Sequence, residues 1–83
     1  MVINMTYDHY QVAREIIRAL KAEEKPELAD QLEGAISEGM SATEVLMRLR
    51  HHLVLIQKAE KRLRAPTAAQ IESLVAHIDA ALS

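Results

Sequence analysis

The residues of this 83-residue chain best suited to chemistry are its four histidines, His9, His51, His52 and His77. An imidazole holds a metal or moves a proton only with partners in reach, and on a helix those partners stand three or four residues away. Around His51 and His52 such positions carry Arg48, Leu49, Leu55 and Ile56, none of them a ligand. His9 has only Asp8 and Tyr10 beside it, on different faces. His52 is therefore read as a histidine at the core margin with one nitrogen bonded. His51 is read as an interface residue whose protonation would couple binding to pH. The carboxylates are plentiful, but none interrupts an apolar stripe where burial could tune it for acid or base work. Ser37, Ser41 and Ser73 lack a strand-to-helix elbow or a paired base. With no cysteine there is no thiolate nucleophile, disulfide or cysteine-ligated zinc. These residues predict no enzyme, no metal and no cofactor.

Charge supplies the other chemical signal. Residues 1–44 carry nine acids and four bases, residues 45–64 six bases and Glu60, and residues 65–83 only Glu72 and Asp79, for a net charge of −2. The favoured expectation is that the acidic segment packs beside the basic helix and screens it; the sharper alternative is that one face meets a partner of opposite charge. Arg48, Arg50, Lys58, Lys61, Arg62 and Arg64 invite a nucleic-acid reading, but they spread around a helix in an acidic chain. Two tyrosines and no Phe or Trp leave little to stack on bases.

The elements that must position these groups are helical throughout. Ten Leu, seven Ile, five Val and four Met suffice for an aliphatic core. A chain this short forms one domain, 1–83, and buries only about 60–65% of its unfolded surface. Residues 1–5 read as a lead-in with neither the basic start nor the apolar run of a signal peptide. No run reaches the roughly 18 apolar residues of a membrane span, and a small domain without a disulfide staple fits the cytoplasm best. Thr6 is a candidate cap for a first helix over about 7–24, with Tyr10, Ala13, Ile16, Ile17 and Leu20 on one buried face. Pro26 closes it and opens a second helix, 26–38, that buries Leu28, Leu32, Ala35 and Ile36; Gly34 inside it either serves a close helix crossing or is tolerated drift.

Around the third helix, about 42–64, the rest is organised. Gly39 can take a left-handed conformation that ends the second helix, and Ser41 with Glu44 forms a capping box. Its main stripe is Val45, Leu46, Leu49, Leu53, Ile56 and Leu63, while Met47 and Val54 point the opposite way among bases. Another helix of the same chain is the first expected cover for that mixed face, and another molecule the second. Ala65-Pro66 breaks the chain, Thr67 and Gln70 form a second capping box, and a fourth helix, about 68–82, buries Ile71, Leu74, Val75, Ile78 and Leu82. The fold class expected is all-α, a compact four-helix bundle with a long central third helix.

The run Ser41-Ala42-Thr43-Glu44-Val45-Leu46-Met47-Arg48-Leu49-Arg50-His51-His52-Leu53, after an acidic helix ending in Gly39, resembles a segment of small all-helical bacterial proteins of no assigned function. The resemblance covers about a third of the chain and implies a compact accessory, antitoxin-like or immunity-like binder. In layout the chain is also similar to acyl carrier proteins, whose modified serine opens a central helix as Ser41 does. Met40 and Ala42 stand where carriers have Asp and Leu, and the helix is basic where theirs is acidic, so Ser41 is read as a helix cap.

The function expected is a non-enzymatic protein-protein interaction module. Two surfaces are candidates: the mixed face Met47, Arg50, His51, Val54, Lys58 and Lys61, spaced as a helix-helix seam for a homodimer, and the acidic patch Glu23, Glu24, Glu27, Asp30 and Glu33, suited to a basic partner. The alternative is a helix-turn-helix-like nucleic-acid binder, whose layout the second helix, Gly39 and third helix imitate. Against it, Ala42, Thr43, Glu44 and Val45 make a poor reader of bases.

Overall fold

A computed structural model of the chain describes residues 7–83, so the lead-in over residues 1–5 and the Thr6 cap lie outside the described residues. Four helices follow: α1 (His9–Ala22), α2 (Pro26–Glu38), α3 (Ala42–Ala59) and α4 (Ala65–Leu82). No strand occurs among the described residues. Each helix packs on its neighbours in sequence, and α1 packs on α4 to close the ring. Fourteen buried apolar residues fill the middle, from Ala13, Ile16, Ile17 and Leu20 of α1 to Ile71, Leu74 and Ile78 of α4. The all-α four-helix bundle expected from the periodicity is the fold observed.

Local chemistry sets the ends of the helices. Asp8 caps α1, its carboxylate accepting the Gln11 N–H at 3.0 Å. At the other end Lys25 N–H bonds the Leu20 carbonyl at 2.8 Å and Glu24 N–H the Lys21 carbonyl at 3.0 Å, the paired bonds of a Schellman turn. Such a turn needs a left-handed residue, and Glu24 takes that position at φ 62°. Pro26 then starts α2 at no cost in hydrogen bonding, since the first helical N–H has no partner in any case.

Gly39 departs from expectation. Its backbone is extended, φ −72° and ψ 139°, and the reason for glycine is space: an added Cβ would stand 2.3 Å from Val45 Cγ2. Gly34 makes no close crossing, for a Cβ there meets only the Glu38 side chain at 3.6 Å. Ser41 caps α3 as expected, accepting the Glu44 N–H at 3.1 Å. The return bond of the box is shifted by one residue, from Met40 N–H to Glu44 at 2.6 Å.

α3 ends at Ala59, short of residue 64. Between Glu60 and Arg64 only Leu63 is apolar, so another turn would bury little, and the chain instead bends to bring Arg64 and Thr67 against the end of α1. The second capping box does not form. Thr67 lies inside α4, buried, donating its hydroxyl to Glu23, and Gln70 reaches Glu15 at 3.2 Å. Leu82, expected in the core, is exposed near the chain end.

Candidate functional site

The outer side of α3 carries the expected mixed face, left uncovered by the described residues. Val45, Leu49, Leu53 and Ile56 turn inward, so residues about half a turn away face outward. Met47 is 58% exposed and Leu55 45%. His51 and Lys58 are exposed beside them, and Val54 is half-buried. The expectation that another helix of the chain covers this face is not met among the described residues: α2 and α4 pack on α3 and leave Met47, His51, Leu55 and Lys58 exposed. Leu55 was missing from the predicted surface, though it lies one helical turn beyond His51 and was legible from that spacing.

Two of the predicted surface residues play other parts. Arg50 leans off the face and pairs with Asp79 of α4. Lys61 lies past the last turn of α3 and donates to the Gln57 carbonyl at 3.3 Å. Screening of the basic segment is partial: Arg48 stands 3.9 Å from both Glu38 and Glu44, while the Lys25–Glu60 pair at 3.3 Å joins a base of the acidic segment to the one acid of the basic segment. Lys58, Lys61, Arg62 and Arg64 have no ion-pair partner among the described residues. The six bases considered for phosphate contact therefore do not form one stripe.

Two members of the acidic patch, Glu23 and Glu33, are engaged within the chain. Glu23 is a structural group, accepting the Arg64 N–H at 2.9 Å and the Thr67 hydroxyl, so the end of α1 caps the start of α4. These two hydrogen bonds, Thr67 first, hold its carboxyl below the ordinary value of 4.5. Glu33 pairs with Lys21 at 3.4 Å. Glu24, Glu27 and Asp30 remain exposed. An open groove of about 430 Å³ between α1 and α2 is lined by Arg14, Ile17, Arg18, Lys21, Glu33 and Ile36.

His52 sits half-buried at the core margin, but its Nδ1 is buried with no hydrogen-bond partner, against the expectation of a bonded nitrogen. Burial first, then the neighbouring His51 and Arg48, pushes its pKa below 6.5.

The seam of α1 and α4 holds a cluster that helical spacing alone could not reveal, because its members lie nearly a chain length apart. The Tyr7 ring stacks on His77 at 3.6 Å, with His9 edge-on to Tyr7 at 5.0 Å. The Ser73 hydroxyl lies 3.5 Å from His77 Nδ1, a nucleophile-base pair at first sight. That nitrogen, however, stands 2.8 Å from the Ser73 carbonyl, which can only accept, so it carries the hydrogen and cannot take the serine proton. Burial raises the Tyr7 phenol above its ordinary 10.0, with the Ser73 hydroxyl acting the other way. Ser41 is occupied as a cap.

Among the described residues no three His, Asp or Glu side chains lie close enough to hold a metal, and no helix is long and apolar enough to cross a membrane. No protein-family model, curated protein or solved structure matches the chain.

Proposed function

We propose that this chain is a non-catalytic helical module that acts by docking another protein on the outer face of α3. The observation that carries the reading is the joint exposure of Met47 and Leu55 two turns apart on that face, in a chain whose other apolar stripes are largely inside. A flexible methionine and a leucine on either side of His51, with Lys58 beyond, give an adaptable docking surface of mixed apolar and polar character. The acidic patch serves less well, since Glu23 and Glu33 are engaged within the chain. Function by surface occlusion or scaffolding fits a domain whose Ser41 and His77 side chains are hydrogen-bonded within the chain.

Native mass spectrometry of protein purified gently from its source cells tests this, comparing wild type with a Met47→Glu/Leu55→Glu double variant. Assemblies heavier than the 9.3 kDa chain are expected in wild type and lost in the variant, with helical content unchanged. An assembly that survives both substitutions would refute the α3 face.

A further inference from the structure

Resting on the α3 docking face, we infer that its partner is a second copy of this chain, with the two α3 helices antiparallel about a two-fold axis at His51. The residues either side of His51 are complementary under reversal. Four residues away stand Met47 on one side and Leu55 on the other, both exposed. Seven residues away stand Glu44, half-buried with one carboxylate oxygen accepting the Met40 N–H, and the exposed Lys58. An antiparallel two-fold sets Met47 on the partner's Leu55 and Glu44 on the partner's Lys58, each contact made twice, as an isologous interface requires.

Charge decides the orientation. In a parallel pair each residue faces its own copy, so Lys58 would meet the partner's Lys58 and Glu44 the partner's Glu44, which is repulsive. The antiparallel pair turns both repulsions into attractions and opposes the helix dipoles. Of the other bases of the helix, Arg50 is turned aside to Asp79, and Arg48 stands 3.9 Å from Glu38 and from Glu44, which it shares with the partner's Lys58. Lys58, with no ion-pair partner among the described residues, is the base left for the second copy.

The contact is small. An 18-residue helix is about 27 Å long, and one helix on its copy buries less than the roughly 1,200 Å² of a standard interface, so association is weak and concentration dependent.

Because the chain has no cysteine, single-cysteine variants report the register cleanly. The variants are His51→Cys, Met47→Cys, Leu55→Cys and, on α1, Arg18→Cys, each oxidised mildly after sedimentation has fixed its oligomeric state. His51→Cys is expected to crosslink to itself. Met47→Cys mixed with isotopically heavy Leu55→Cys is expected to give at least about tenfold more crosslink than either alone, because like positions lie about 12 Å apart along the axis, beyond disulfide reach. Self-crosslinking of Met47→Cys at the level of His51→Cys would overturn the antiparallel register. A chain monomeric at all concentrations would overturn self-association while leaving the α3 face to the native mass comparison. Crosslinking through Arg18→Cys alone would overturn both.

Discussion

The chain has two glycines, and the structure assigns them opposite signs in stability. At Gly39 the backbone, φ −72° and ψ 139°, suits any residue, so Gly39→Ala costs nothing in conformation. Its cost is steric: the new Cβ would lie 2.3 Å from Val45 Cγ2 and 3.1 Å from both the Val45 Cα and N. The methyl can be relieved by side-chain movement, but the two backbone atoms belong to the first turn of α3 and shift only with the helix. Overpacking of this kind costs about 1–3 kcal/mol. At Gly34 the new Cβ meets only the flexible Glu38 side chain at 3.6 Å, so Gly34→Ala keeps the helix propensity of alanine, about 1 kcal/mol. For a domain of this size each kcal/mol moves Tm by about 4–8 °C. Thermal unfolding followed by circular dichroism should show Gly34→Ala above wild type and Gly39→Ala below it by at least as much. In a Val45→Ala background, which removes the Cγ2 contact, the Gly39→Ala penalty should shrink without vanishing. Equal effects at the two glycines would refute the assignment, as would a Gly39→Ala penalty indifferent to Val45.

Glu23→Ala leaves the buried Thr67 hydroxyl and the Arg64 N–H without their acceptor, and should cost about 1–3 kcal/mol in denaturant unfolding, with Glu23→Gln recovering part of it. The Glu23 carboxyl lies below 4.5 in the fold, so the unfolded chain binds its proton first; the stability it supplies is full above pH 4.5 and is lost as pH falls through the folded pKa. His52 is also lowered, from 6.5, and the same sign holds: its neutral form is favoured in the fold, and stability drains as pH falls below 6.5. A pH series should therefore show two successive losses on acidification, and His52→Leu should remove the upper one without loss of stability at neutral pH, because the Nδ1 it deletes has no partner. A His52→Leu profile still falling from pH 6.5 in the same way would assign that loss elsewhere.

The helices were legible because aliphatic residues recur at three and four, and Pro26 and the Ser41–Glu44 pair mark real boundaries. Where the sequence misled, a long-range contact overrode a local signal. Thr67 and Gln70 have the spacing of a capping box, yet Glu23 and Glu15, more than 40 positions earlier, take their hydrogen bonds. Gly39 suggested a left-handed turn when it served a close approach to Val45, and the left-handed position fell to Glu24, which no propensity favours. The mixed face of α3 was readable as a pattern; that no described helix covers it was not, since the sequence does not say which helices meet.

The docking of a second copy on the outer face of α3 is tested most directly by amide chemical shifts of the isotopically labelled chain across a concentration series. Shifts that grow with concentration and centre on Met47, His51, Leu55 and Lys58 are the predicted result. Shifts centred instead on the groove between α1 and α2, or a spectrum that does not change, would contradict it.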